Sequence, residues 1–187
     1  MAKDTWIGDV LAGNYNGKEV ELMGWIHRSR GSNKIRFIVL RDSTGNVQCV
    51  VKRDTIGDEA FEAMKTALIE SSVIIRGTVQ STDREHGYEI QVTSCEIVGG
   101  VNPERPFPIT ESAMAEADGG ETEFLLDNRH LYLRTGRMTT MLKMRSTVFG
   151  AVHSYFRDLD FVEYQAPNFV AGAGEGGSAR FEVPYFG

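Results

Sequence analysis

The feature of this sequence that most constrains its fold is a change in the spacing of its apolar residues. Between residues 18 and 97, apolar side chains first alternate with polar ones, then recur at helical spacing, and then alternate again. Alternation is typical of half-buried strands, whereas the spacing of Phe61, Met64 and Leu68 indicates one face of a helix. The predicted strands are 18–28, 35–42, 47–52, 72–79 and 88–97, and the predicted helix is 58–68.

This order of elements, three strands, one helix and two more strands, favours an OB-fold. Such a fold is a small β-barrel of five strands plus one helix, and closing the sheet into a barrel removes its exposed edges. An SH3-like barrel is the alternative, but it has no helix between its third and fourth strands. We therefore predict that residues 1–108 form an OB-fold domain.

The sequence after residue 108 predicts a linker and the beginning of a second domain. Residues 109–123 are acidic and contain glycine, which is typical of a solvated linker. Within 124–187, apolar residues recur at helical spacing from 137 to 159, and strands are predicted at 161–165 and 181–185. One helix and two strands cannot bury such an apolar face, so we interpret 124–187 as an incomplete domain.

The distribution of charge suggests a local contact with nucleic acid. The formal net charge of −6 argues against a protein that coats nucleic acid indiscriminately. A basic cluster nevertheless falls between positions 27 and 36 with no acidic residue inside it, and it consists of His27, Arg28, Arg30, Lys34 and Arg36. The sequence contains no run of about 18 apolar residues, so it predicts no membrane-spanning helix. The N-terminus lacks the apolar run of a secretory signal. We expect a cytoplasmic protein with no membrane partner.

The two cysteines, Cys49 and Cys95, both lie in predicted strands. Buried, reduced thiols are the expected state, and a disulfide is the alternative. With no CxxC spacing and no paired histidines, the cysteines do not predict a metal site.

The predicted second and third strands carry the candidate binding residues. OB-folds bind single-stranded nucleic acid on their first three strands, where aromatic side chains stack on bases inside a basic groove. Phe37 lies on the second strand, within reach of Arg28 and Arg30, and Gln48 on the next strand could hydrogen-bond a base edge. The alternative interpretation is that Phe37 is a core residue and that the basic cluster is a solvated hairpin.

A glycine-rich run at 172–177 matches the spacing GxGxxG. A dinucleotide site would require a helix after this run, whereas residues 181–184 are strand-like and include Pro184. The pattern therefore indicates a loop in which glycines permit unusual backbone angles.

Three separated motifs resemble the class IIb aminoacyl-tRNA synthetases, and specifically the asparaginyl and aspartyl enzymes. They are GWIHRSR with FIVLRDSTGNVQCVV, the segment 124–134, and DFVEYQAPNFVAGAGEGGSARFEVPYFG. These motifs occur in the family's order and cover essentially the whole chain. The runs RDSTG and EGGS are more similar to asparaginyl enzymes of the archaeal type. One departure is Asp160, where the family usually has glycine.

The resemblance implies a role for several individual residues. Phe37 matches the aromatic residue that stacks on the central anticodon uridine, and Gln48 matches a residue that reads an anticodon base. Arg30 matches a backbone or base contact nearby, and Glu89 is a candidate contact for the first anticodon base; Arg28 stays a candidate RNA-binding residue from its position near Phe37. In the second domain, Phe161 and Pro167 belong to the motif that builds the dimer interface. The amino-acid-binding loop would consist of Glu175, Gly176, Gly177 and Ser178.

The implied function is the N-terminal part of an asparagine–tRNA ligase, with a class II α+β core built on an antiparallel sheet. The complete enzyme would use ATP and Mg²⁺ to charge tRNA with asparagine and would act as a homodimer. The chain as given lacks the two later motifs that clamp ATP, so we expect it to contain no catalytic residue and no cofactor and to be inactive by itself. Two alternatives remain open: an aspartate–tRNA ligase, including one that accepts both tRNAs, and a catalytically silent tRNA-binding OB-fold protein.

Overall fold

The structure, a computed structural model, describes residues 4–83, 87–109 and 122–167. Its contacts divide the chain into two compact units, Met1–Glu121 and Thr122–Gly187. Among the described residues, all strands belong to the first unit and the second unit is helical.

Five strands of the first unit close into a barrel. They are β1 (Glu19–Gly31), β2 (Ile35–Arg41), β3 (Asn46–Lys52), β4 (Ser72–Ser81) and β5 (Tyr88–Gly99). Their order around the barrel is β1-β2-β3-β5-β4, and β1 pairs with β4 to complete the circle. The β3–β5 pair is parallel and the other pairs are antiparallel. This arrangement confirms the predicted OB-fold.

The alternating apolar residues fill the inside of the barrel, as their spacing predicts. Leu22, Ile38, Cys49, Ile75 and Ile90 contribute one inward-facing side chain from each strand, and all five are fully buried. Burying an aliphatic side chain of this size stabilises a fold by about 1.5–3 kcal/mol relative to leaving it exposed. The core therefore rests on the period of two in each strand.

The helix predicted at 58–68 is present, and a shorter helix that was not predicted precedes it. The shorter helix is α2 (Arg53–Ile56), and the predicted one is α3 (Asp58–Thr66). Gly57 lies between them with φ +84°, a left-handed conformation that interrupts helical geometry and that glycine adopts readily. Phe61 and Met64 on α3 are buried in the core, in agreement with the predicted apolar face.

A short N-terminal helix, α1 (Ile7–Leu11), was not predicted from the sequence. Ile7 and Val10 are fully buried in the barrel core. Five residues are too few to show helical periodicity, and this helix is held by residues far along the chain, so no local pattern identifies it.

A β-bulge reverses the orientation of β1. Up to Ile26, which pairs with Leu40, the even-numbered residues of β1 face the core. An extra residue, His27, then shifts the register, so that Arg28 pairs with Val39. Because side chains alternate with a period of two, this insertion turns the later even-numbered residues to the outer surface. Arg28 and Arg30 are exposed as a result.

The described part of the second unit consists of three helices, α4 (Thr122–Asp127), α5 (Arg129–Tyr132) and α6 (Gly136–Asp158). Helix α6 confirms the long amphipathic helix predicted for residues 137–159. At its N-terminus the Thr135 hydroxyl accepts a hydrogen bond from the Met138 amide at 3.4 Å, as an N-cap. Its apolar residues from Met141 to Phe156 are exposed.

The prediction of a strand at 161–165 is wrong. These residues have no regular secondary structure, because no described segment of the chain pairs with them. The second predicted strand, 181–185, lies outside the described residues, as does most of the predicted linker 109–123. The antiparallel sheet expected for the core of the second domain therefore has no strand within residues 122–167.

Candidate nucleic-acid interface

Four strands place the candidate binding residues in two neighbouring rows on the outside of the barrel. In the first row, Arg28 pairs with Val39, Val39 with Gln48, and Gln48 with Glu89. Adjacent strands lie roughly 4.8 Å apart, so this row crosses β1, β2, β3 and β5 as one continuous line. All four residues belong to the surface opposite the core.

The second row lies two residues further along and contains the candidate stacking residue. It runs from Arg30 to Phe37, Val50 and Gln91, of which Val50 is buried. Together the two rows bring all five predicted RNA-binding residues onto one face of the barrel. We call this surface the two-row face; it consists of Arg28, Val39, Gln48 and Glu89 in one row and Arg30, Phe37, Val50 and Gln91 in the other.

Phe37 is not a core residue. Its neighbours Ile38 and Leu40 fill the barrel, whereas Phe37 points outward and is only partly buried. The Arg30 guanidinium lies 5.7 Å from the centre of its ring, within the range of a cation–π contact. The alternative interpretation of Phe37 as barrel core is therefore excluded, and an aromatic ring with an adjacent cation is available at the surface.

Glu89 is held between two amides. Its Oε2 accepts a hydrogen bond from Gln48 Nε2 at 3.1 Å, and its Oε1 accepts one from Gln91 Nε2 at 2.8 Å. Gln91 was missed by sequence reasoning, although it lies two residues after Glu89 and so shares its face of β5. The alternation of that strand was the signal that could have identified it.

The predicted basic cluster is divided by the fold. Arg28 and Arg30 lie on the two-row face, and Lys34 is exposed in the loop between β1 and β2. Arg36 lies on the inward-facing side of β2, where its Nη2 donates to Ser29 Oγ at 2.8 Å. His27 sits in the bulge, with its Nδ1 3.5 Å from Arg41 Nη1.

The bulge is supported from the segment before β4. The Glu70 amide donates to the Ile26 carbonyl at 2.7 Å, and the Glu70 carboxylate forms an ion pair with Arg41 at 2.8 Å. The Glu70 side chain is only 6% exposed, so this pair is shielded from water more than an ordinary surface ion pair. These contacts fix the segment of β1 that turns Arg28 outward.

Of the predicted site residues of the second unit, Phe161 and Pro167 lie within the described residues. Phe161 is exposed, and its ring packs against that of Phe156 with centroids 5.4 Å apart. Pro167 is exposed at the end of the described segment. The predicted amino-acid-binding residues Glu175, Gly176, Gly177 and Ser178 lie outside the described residues.

No helix in the part of the chain that the structure describes is long and apolar enough to cross a membrane. Nor do three or more histidine, cysteine or acidic side chains of residues 4–83, 87–109 and 122–167 come together in a way that could hold a metal ion.

Comparison with known proteins gives two family matches. Residues 20–98 match the tRNA anticodon family of OB-fold nucleic-acid-binding domains. Residues 121–186 match the class II tRNA synthetases of the D, K and N group.

Individual relatives of the chain are named as asparagine–tRNA ligases. The chain is 38% identical over 182 residues to the asparagine–tRNA ligase of Thermoplasma acidophilum, which covers 97% of the chain and 40% of that protein. It is 39% identical over 181 residues to the asparagine–tRNA ligase of Symbiobacterium thermophilum, covering 96% of the chain and 39% of that protein. The chain thus spans about two fifths of the length of these relatives.

A solved structure extends the likeness to three dimensions. The asparaginyl-tRNA synthetase of Pyrococcus horikoshii, in complex with asparaginyl-adenylate, is similar with a TM-score of 0.84 and 34% sequence identity. The match covers the whole of this chain and 41% of that one. With both family matches in the same order along the sequence, this chain carries an OB-fold of the tRNA anticodon family at residues 20–98, followed at residues 121–186 by a segment of the class II tRNA synthetase family of the D, K and N group.

Proposed function

We propose that this chain is the N-terminal part of an asparagine–tRNA ligase and that its two-row face binds the anticodon of tRNA. One observation carries the proposal: the outward-facing Phe37, the cations of Arg28 and Arg30, and the polar Gln48–Glu89 pair share one surface. An aromatic platform with adjacent cations and base-edge hydrogen-bonding groups is what single-stranded RNA recognition requires.

In this proposal each row has its own task. Phe37 stacks on the central base of the anticodon, and Arg30 beside it neutralises phosphate charge. Gln48 and Glu89 hydrogen-bond the edges of the neighbouring bases. Glu89 would repel the RNA backbone if it served no base, and it is therefore best explained as an acceptor for base N–H groups.

The charging reaction is proposed for the longer protein, in which the synthetase domain is complete. The relatives are named as asparagine–tRNA ligases, and this chain spans about two fifths of their length. ATP and Mg²⁺ would serve that complete domain. A cytoplasmic location is part of the same proposal, because tRNA is the substrate.

Dimerisation is proposed through helix α6 and the segment after it. Along this helix Met144, Val148, Phe149 and Tyr155 are each at least 59% exposed. An apolar surface of this kind is typical of a protein–protein interface. Sedimentation of the chain should show a dimer that Phe149→Glu converts to monomer, and a monomeric wild-type chain would refute this part of the proposal.

The test of anticodon binding uses short stem-loop RNAs. Anticodons for asparagine and aspartate share their first two bases and differ in the third, which is uridine for asparagine and cytidine for aspartate. The chain should bind the asparagine stem-loop more tightly than a stem-loop of scrambled anticodon. Stronger binding of the aspartate stem-loop would favour the aspartate–tRNA ligase alternative, and equal binding of both would favour an enzyme that accepts both tRNAs.

Phe37→Ala tests whether the outward-facing Phe37 ring of the two-row face contributes to RNA binding. Loss of one base stack should weaken binding of the cognate stem-loop by about 1–3 kcal/mol. Phe124→Ala is the matched control, since Phe124 is a partly exposed phenylalanine of the other unit. Equal affinity of the Phe37 and Phe124 variants would refute anticodon binding by the two-row face.

A further inference from the structure

The hydrogen bonds around Glu89 define what this carboxylate can do. An ionised carboxylate only accepts hydrogen bonds, so both amide groups next to it must present their NH₂ ends. Gln48 Nε2 lies 3.1 Å from Oε2, and Gln91 Nε2 lies 2.8 Å from Oε1. Each carboxylate oxygen keeps a second lone pair for another donor. The two amides therefore hold the carboxylate in one orientation without using up its acceptor capacity.

The backbone of Gln91 is held by strand pairing on both sides. It pairs with Val50 of β3 on one side and with Thr78 of β4 on the other. On the β4 side, Gly77 approaches the Gln91 carbonyl so closely that a Cβ at position 77 would collide with it. Only glycine permits this close approach, which fixes the position of the Gln91 backbone relative to β4.

In the proposed RNA complex, the side chains of Gln48 and Gln91 have different roles. In the proposed function Gln48 turns to an anticodon base, so its hydrogen bond to Glu89 is lost or shared in the complex. Gln91 is then the contact that keeps the Glu89 carboxylate in place. It lies in the row of Phe37, next to the row that contains Glu89.

We propose that Gln91 is a positioning residue that holds Glu89 so that both of its carboxylate oxygens face the Watson–Crick edge of a guanine. This inference rests on the proposed function and deepens it. Guanine is the only one of the four standard bases that presents two adjacent donors there, N1–H and the N2 amino group. A carboxylate with a fixed orientation accepts both donors, whereas a freely rotating one loses part of that preference to conformational entropy.

The experiment compares stem-loops that have guanosine or inosine at the first anticodon position. Inosine lacks only the N2 amino group, so the affinity ratio reports the second hydrogen bond. Wild-type chain should prefer guanosine by about tenfold, the lower part of the range for a bidentate contact. Gln91→Leu and Gln91→Met should reduce this preference, measured as the ratio of the two affinities, to about twofold or less.

Two controls separate positioning from a general loss of structure. Gln165→Leu makes the same substitution at an exposed position of the other unit and should keep the guanosine preference. In a Glu89→Gln background, Gln91→Leu should cause no further change, because the two residues act through one contact. Thermal unfolding shows whether each variant is folded, and the Met variant stands in if the Leu variant is not.

The possible failures are distinguishable. If wild-type chain ignores the anticodon and Phe37→Ala binds as well as wild type, the proposed function and this inference are both overturned. If wild type reads the anticodon and Phe37→Ala weakens binding, but both Gln91 variants keep the guanosine preference, only the positioning role of Gln91 is overturned.

Discussion

The carboxylate of Asp42 accepts a hydrogen bond from the backbone amide of Ile7 at 3.0 Å, across 35 positions of sequence. Its other oxygen accepts from the amides of Thr44 and Gly45 and from the Thr44 hydroxyl. That hydroxyl in turn accepts from the Gly8 amide at 2.8 Å. The turn after β2 thus caps the N-terminus of α1, which has no capping side chain next to it in sequence.

Replacing Asp42 with alanine should destabilise the OB-fold by about 1–3 kcal/mol. The change leaves the buried Ile7 amide without its acceptor, and charged acceptors at a helix N-terminus are among the stronger capping groups. Asp42→Asn should cost less, because one amide oxygen remains. Urea unfolding measures both effects. Asp83→Ala, which removes the same charge at an exposed position, serves as the control. If Asp83→Ala destabilises the fold as much as Asp42→Ala does, the loss of negative charge and not the loss of the cap is responsible.

The contact between Asp42 and Ile7 also shows where sequence reasoning stops. All five strands and the face of α3 follow from local apolar spacing, which reports burial directly. Helix α1 depends on a cap supplied from 35 positions away, and such a partner leaves no periodic signal near residue 7. The run RDSTG could be noticed as a family motif, but its role as a cap is visible only in three dimensions.

The residues of the candidate site could be predicted from the sequence, but their arrangement on the barrel could not. Phe37, Gln48 and Glu89 could be selected from residue type, strand position and resemblance. The bulge at His27 could not be read from the sequence, and without it Arg28 and Arg30 would face the core. The two-row face therefore depends on one extra residue in β1, whose effect appears only when the pairing with β2 is known.

Arg30→Ala should weaken RNA binding and make it less dependent on salt. Removing one phosphate contact lowers the slope of log affinity against log salt by about one unit. Arg76→Ala is a matched control because it removes the same charge from β4, where Arg76 pairs with Glu21 of β1 at 2.5 Å. Fluorescence anisotropy at several salt concentrations gives both slopes. If the two variants share one slope, long-range charge explains the binding and Arg30 has no contact of its own.

The two cysteines should differ in reactivity in a way that follows their burial. Both are free thiols, as expected from the sequence. Burial raises the pKa of Cys95 to about 11 and raises the pKa of the fully buried Cys49 further. Because only the thiolate reacts, DTNB should label native Cys95 slowly near neutral pH, with a rate that rises as the pH approaches 11, and should not label Cys49.

The same shift has a consequence for stability. Folded Cys95 holds its proton more tightly than an unfolded thiol, whose pKa is about 8.5. The stability that comes from this protonated thiol is complete below about pH 8.5 and is lost as the pH rises towards 11. Cys95→Ala should therefore make the urea midpoint less sensitive to pH in this window. An unchanged pH profile would contradict the assignment.

The end of α6 contains Asp160, the position at which the family resemblance leads us to expect glycine. Asp160 has φ +62°, a left-handed conformation that is rare for residues other than glycine. The Asp160 amide donates to the Arg157 carbonyl at 3.0 Å, and the Phe161 amide donates to the Phe156 carbonyl at 3.1 Å. Together with the ring contact between Phe156 and Phe161, these bonds form a Schellman motif, whose left-handed position is usually glycine.

Asp160→Gly should therefore stabilise the C-terminal turn of α6 by about 1 kcal/mol, because it removes the strain of a left-handed side chain. The gain is reduced by the greater freedom of unfolded glycine and increased by the loss of a negative charge at a helix C-terminus. Amide hydrogen exchange at Phe161 should slow by about fivefold. Asp160→Asn separates charge from conformation, since it keeps the Cβ and should give only a small part of the effect. Asp158→Gly, inside the right-handed helix, should instead accelerate exchange at Phe161, and equal protection in the Asp158 and Asp160 glycine variants would show that backbone strain at position 160 is not the cause.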